Sequence, residues 1–263
     1  MKNWGGCLAL MRKELTVYFA TPIFYIIGFF FLLLAGYFFY TNVLYYNLIS
    51  MQAMQQAAQN PQVAAQLNPQ NLVFRPLFQT LAIVLLLLVP VLTMRLLAEE
   101  KRSGTAELLF TYPLTDWGVI LGKYLSALLV YLVLLGLTTC YGLAFSFMSR
   151  LDWGVVATGY LGLFLLGGAC LSLGLFASSL TENQIIAAVV AFALLLLFWI
   201  IGWVQELGAG GLRGVFQFLS MMEHYENFVR GVIDTRDLVY YVSFIYFFLF
   251  LTKRQLESRR WRA

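Results

Sequence analysis

Charge is what this sequence has least of. Only 11% of its 263 residues are Asp, Glu, Lys or Arg, against roughly 25% in an ordinary soluble domain. A surface wetted on all sides cannot be built from so few, which excludes a free-standing soluble enzyme or binding module. Cysteine is also scarce. Cys7, Cys140 and Cys170 are odd in number and lie in or beside apolar runs, so they fit neither a disulfide framework nor a zinc site and read as small apolar fillers. Histidine occurs once, as His224, leaving a single candidate for any histidine-based chemistry. Glu223 and Glu226 beside it are a thinner basis for a metal site than for a structural role. No convergent polar set is visible, so we expect no catalytic residues, no cofactor and no metal in this chain. No cleavable signal peptide is expected, because the first apolar run is too long and no small-residue cleavage site closes a shorter one.

What the sequence has is hydrophobic length: 61% of its residues are apolar and the mean hydropathy is +0.78. A membrane-crossing helix needs about 20 apolar residues, because the hydrocarbon core is about 30 Å thick. Six stretches qualify: 23–44, 77–97, 119–148, 155–180, 185–204 and 238–252. The last is short and spans only if its charged flanks snorkel or the bilayer thins. The expected fold is therefore an all-α integral membrane protein, one domain over 1–263, with six transmembrane helices. Residues 1–20 mix Arg12 and Lys13 with apolar side chains and suit a helix lying in the interface. Residues 45–74 are rich in Gln, Asn and Ala and read as a weakly structured polar loop.

Six spans put both termini on one side. That side collects Lys2, Arg12, Lys13, Arg95, Lys101, Arg102, Lys123, Lys253, Arg254, Arg259, Arg260 and Arg262, while the other receives Arg75, Arg150, Arg213, Arg230 and Arg236. The excess of basic residues marks the first side as cytoplasmic, as in the inner membrane of a bacterium. No ionisable residue falls at mid-depth in a span, which argues against an ion-coupled carrier and against a channel built on charged rings. GVILGKY, residues 118–124, has too few residues between its glycines for a phosphate-binding loop and lacks the Ser or Thr after its lysine. Lys123 reads instead as a snorkelling anchor. Cys170, Gly174 and Ser178, with Gly168 and Ser172, recur every fourth residue and mark close helix packing. Tyr45, Tyr46, Trp117, Trp153, Tyr240 and Tyr241 fall where interfacial aromatic belts belong.

One polar concentration stands out. RLLAEEKRSGTAELLFTYP, residues 95–113, packs six charged side chains between two apolar runs. The second span can continue as a helix through Arg102, with Glu99 and Arg102 sharing a face. Gly104 then breaks it, Thr105 caps a short amphipathic helix containing Glu107, Leu108, Leu109 and Phe110, and Pro113 ends that helix. Thr115 or Asp116 caps the next span. A tight interfacial turn explains positive charge, but not Glu99, Glu100 and Glu107 beside the bases. Nor does it explain an apolar Leu108–Phe110 face without a partner. A docking helix for another protein explains both.

EEKRSGTAELLFTYPLTDWGVILGKY, residues 99–124, resembles the signature of permease subunits of type-2 class ABC transporters, in the gliding-motility-like and nitrous-oxide-accessory-like branch. HYENFVRGVIDTRDLVYY, residues 224–241, resembles the outer segment of the gliding-motility-like permeases, with its Phe-x-x-Gly and Asp-x-x-Asp pattern. The resemblance covers essentially the whole chain. It implies a coupling segment over 98–117 that seats in an ATP-binding subunit through Glu99, Glu100, Lys101, Arg102, Gly104, Thr105, Glu107, Leu108, Phe110 and Pro113, with a lesser contact at Glu182. It also implies outer re-entrant helices over 208–236 that include His224, Phe228, Gly231 and Asp234, with Asp237 capping the last span. Two ATPase subunits, binding the ATP themselves, and two permease chains, identical or paired with a related one, would form the working unit. It would export or move an unidentified substrate of lipidic or polymeric kind. The alternative is a subunit that moves no solute and transmits motion to an extracytoplasmic partner protein.

Overall fold

The computed structural model describes residues 3–57, 68–104, 115–149, 151–204, 214 and 218–260. Among them every regular element is helical: α1 Asn3–Ala20, α2 Pro22–Ala57, α3 Arg75–Thr93, α4 Arg95–Arg102, α5 Asp116–Ser146, α6 Trp153–Leu180, α7 Gln184–Val204, α8 Met221–Val229 and α9 Thr235–Arg260. Five stretches of the described residues are long and apolar enough to cross a membrane: Pro22–Gln55, Gln70–Arg102, Asp116–Ser146, Trp153–Leu180 and Gln184–Gly202. Helix α9 is one continuous helix, but its apolar stretch lies between Asp237 and Lys253 and is not among those five.

Local chemistry sets the boundaries. Pro22 has no N–H to donate and its fixed φ suits a first helical turn, so α1 stops at Ala20 and α2 starts afresh. Helix α2 then runs on to Ala57 through the charge-free segment expected to be a loop, because Gln, Met and Ala are good helix formers. A π-helical turn, Gln70–Phe74, leads into α3. The Thr115 hydroxyl accepts from the Gly118 amide and caps α5, and the Asp152 carboxylate does the same for Gly154 at α6.

Helix α6 is the hub, the most enclosed of the long helices, while α2 and α7 are the least. Glycine makes this possible. A methyl group on Gly159 would come within 2.2 Å of the Phe78 ring, on Gly162 within 2.5 Å of Phe228 Cβ, on Gly167 within 2.2 Å of Tyr131 and on Gly174 within 2.3 Å of Thr93 Oγ1. Side chains of the neighbouring helices therefore lie directly on the bare backbone of α6, a close fit that lets van der Waals contact hold helices together in lipid. The small-residue stripe expected around Gly174 thus extends to three further glycines.

Buried phenols tie the elements across the bundle. Tyr131 donates to the Leu163 carbonyl (2.8 Å), Tyr225 to Phe78 (3.0 Å) and Tyr241 to Met221 (2.8 Å). A hydroxyl without water must find such an acceptor. Tyr240 and Tyr241, expected in an interfacial belt, are buried and bonded to the backbone before and within α8.

Candidate functional site

The charged cluster of residues 95–104 sits on a joint. Pro90 lies inside α3 and supplies no N–H for the preceding turn. Met94 keeps helical dihedrals and donates to the Pro90 carbonyl, and the hydrogen-bond ladder is interrupted just beyond it, where α3 gives way to α4. The Ser178 hydroxyl of α6 reaches into the break. It accepts from the amides of Leu97 and Ala98, both at 3.1 Å, and donates to the Met94 carbonyl at 3.1 Å. One side chain thus serves three backbone groups that a straight helix would have paired itself. The Lys101 ammonium donates to the Ser179 carbonyl, which fixes the far end of α4 to the foot of α6. Gly104 follows with φ +70°, a left-handed conformation that stops the helix.

A second set of ties runs sideways. Lys123, only 1% exposed, places its Nζ 2.9 Å from Glu14 Oε1 of α1 and 2.8 Å from Glu100 Oε1 of α4. Lys13 lies 3.6 Å from Glu100 and 3.9 Å from Glu14, completing two cations against two carboxylates. Charge sealed from water in this way persists only when paired. Lys123 is therefore an internal clamp joining α1, α4 and α5, and not the snorkelling anchor its position in the sequence suggests. The Tyr18 hydroxyl of α1 donates to the Leu92 carbonyl at 2.7 Å, and burial pushes that phenol well up from its ordinary pKa.

At the opposite end of the bundle, Ser220 caps α8 by accepting from the Glu223 amide. His224 Nδ1 lies 2.6 Å from Asp237 Oδ1 of α9, and its Nε2 lies 3.1 Å from the Phe218 carbonyl. The other Asp237 oxygen accepts from the Asn227 amide at 2.9 Å. Glu226 pairs with Arg75 at 2.6 Å and Arg230 at 2.9 Å, and the Arg230 and Arg75 guanidiniums hold its carboxyl below the usual range. Gly231, at φ +86°, turns the chain back toward α9, and the Asp234 side chain accepts from the Arg236 amide where α9 begins.

A family model described as ABC-2 family transporter protein matches residues 8–251, nearly the whole of these helices. The chain belongs to the ABC-2 family of transporter proteins. No curated protein matches it significantly. Membership makes the chain a permease-type membrane subunit and implies an ATP-binding ABC subunit as its partner.

In this ABC-2 protein the residues expected to meet that partner divide into two groups. Arg102, Gly104 and Glu182 are exposed, while Glu99 is half-exposed and pairs with Arg95 at 2.8 Å, not with Arg102. Glu100 and Lys101 turn inward, to Lys123 and to Ser179. Lys101 reaches the last turn of α6 and so brings Arg102 and the loop carrying Glu182 to the same end of the bundle. Thr105, Glu107, Leu108, Phe110 and Pro113 lie outside the described residues. In the opposite segment, Phe228 packs under Gly162, and His224 and Asp237 meet directly. The sequence reading named His224 and Asp237 separately and missed the pair. It set the chain-adjacent Glu223 and Glu226 beside His224 and made Asp237 a helix cap. Helix α8 starts at Met221, where Ser220 supplies the cap. Among the described residues no three His, Cys, Asp or Glu side chains gather as a metal site.

Proposed function

We propose that this chain is the membrane-spanning subunit of an ABC transporter of the gliding-motility-like and nitrous-oxide-accessory-like branch, driven by two separate ATPase subunits. Two permease chains form the unit in a bacterial inner membrane, with α9 as the sixth span and both termini in the cytoplasm. The ATPase grips residues 98–117. Glu99, Arg102, Gly104, Thr105, Glu107, Leu108, Phe110 and Pro113 meet it directly, and Glu182 adds a lesser contact. Glu100 and Lys101 transmit the load from inside.

One observation carries this reading: α4 is fastened to α6 through Ser178 and Lys101 and to α5 and α1 through Lys123. A displacement applied at the exposed end of α4 is thereby passed to three helices at once. Packed, bistable elements of this kind convert ligand-driven motion at one site into rearrangement at another. The charge-free middle of the spans suits a lipidic or amphipathic substrate.

The test is reversal of two exposed charges, Arg102→Glu with Glu182→Lys. Neither residue belongs to the internal clamp, so membrane insertion should persist while co-purification of the ATPase is lost. Full retention of the ATPase by this variant would overturn the docking assignment.

A further inference from the structure

His224 contacts the segment that enters α8. Both of its ring nitrogens face acceptors: the Asp237 carboxylate at 2.6 Å and the Phe218 carbonyl at 3.1 Å. Neither partner has a hydrogen to offer in its ordinary form, so only an imidazolium, with an N–H on each side, satisfies both contacts. The Tyr240 ring stacks on the imidazole at 4.0 Å and 21°, which favours a cation. Tyr240 also donates to the Leu219 carbonyl at 2.8 Å. Two successive carbonyls ahead of α8 are thus held by this one group of side chains.

We propose that protonated His224 locks the Phe218–Ser220 entry of α8 onto the head of α9, and that loss of its Nε2 proton releases that entry at the outer mouth. Upon release the Nε2 proton passes to water. Nδ1 keeps its proton because the carboxylate holds it, and the Nε2 lone pair then faces the lone pairs of the Phe218 oxygen. Contact with Phe218 becomes repulsive while contact with Asp237 survives. The latch is therefore closed at lower pH and opens as pH rises.

The charged surroundings are few. Helix α9 contributes Asp237 and Tyr240 directly, with Asp234 and Arg236 at its start. On α8 itself, Glu226 is engaged by Arg75 and Arg230, Asn227 supports Asp237, and Glu223 is the chain neighbour. The neighbouring α6 and α7 bear no Asp, Glu, Lys or Arg between Trp153 and Leu180 or between Gln184 and Val204. Asp237 is thus the one carboxylate bonded to the imidazole among the described residues. The latch stands apart from the ATPase contact, so failure of either proposal leaves the other untouched.

Because the chain has a single histidine, ¹⁵N-histidine labelling of the full chain in lipid nanodiscs, purified without a histidine tag, gives one pair of ring-nitrogen signals. Between about pH 5 and about pH 9 the expected result is a doubly protonated ring that loses only its Nε2 proton. Amides 219–223 should lose hydrogen-exchange protection over the same interval, after correction for the intrinsic pH dependence of exchange. His224→Gln should remove the pH dependence of protection. A ring that stays neutral throughout, that deprotonates at Nδ1 first, or that titrates with no change in protection would overturn the latch.

Discussion

Lys123 carries a positive charge into a place with no water to receive it, and the two carboxylates that meet it come from far along the chain. Glu14 is 109 residues away in sequence, so no spacing rule links them, and a lysine near the foot of an apolar run ordinarily reads as a snorkelling anchor. The same blindness hid the His224–Asp237 pair. Glu223 and Glu226 are nearer in the chain, but the turn at Gly231 swings Asp237 onto the histidine. Gly104 and Thr115 were legible, because a helix stop and a helix cap depend on local chemistry alone. Replacing Lys123 by Met should leave Glu14 and Glu100 facing each other with only the more exposed Lys13 to balance them. Breaking a buried pair in this way costs about 3–5 kcal/mol. Thermal denaturation in detergent should show a large loss for Lys123→Met and partial recovery when Glu100→Gln is added.

Among the elements, the α3–α4 joint is where sequence and structure part most instructively. Continuation of a helix to Arg102 is visible in the sequence, and the structure has that helix. The interruption beyond Met94 is not visible, because the hydroxyl that fills it belongs to Ser178, which α6 supplies from 84 residues away. Ser178 belongs to the small-residue packing stripe of α6, but its hydroxyl also completes the backbone of another helix. Ser178→Ala should leave the Leu97 and Ala98 amides without an acceptor. An unsatisfied buried donor costs about 1–3 kcal/mol, and the penalty falls on the joint. Hydrogen exchange should therefore rise at Leu96–Ala98 while the middle of α6 stays protected. Unchanged exchange at those amides would mean that Ser178 contributes packing alone.

For the whole molecule, scarcity of charge and long apolar runs were enough to establish the membrane class, and the motif of residues 99–124 was enough to suggest the family. The central place of α6 was not readable, since four glycine contacts define it and glycine alone does not say what will press against it. Nor was the exposure of α2 and α7, where Phe29 is 62% exposed and Ile185 73%. Such apolar surfaces need lipid or a second chain to cover them. The proposed ATPase contact lies at the end of the bundle where α4 is fastened, and not at the end where His224 meets Asp237. Photo-crosslinking in membranes, with a reactive residue introduced at Arg102 and separately at Val232, addresses it directly. The expected result is a crosslink to the ATP-binding subunit from position 102 and none from position 232. A crosslink from 232, or none from 102 in a complex that still hydrolyses ATP, would contradict the claim.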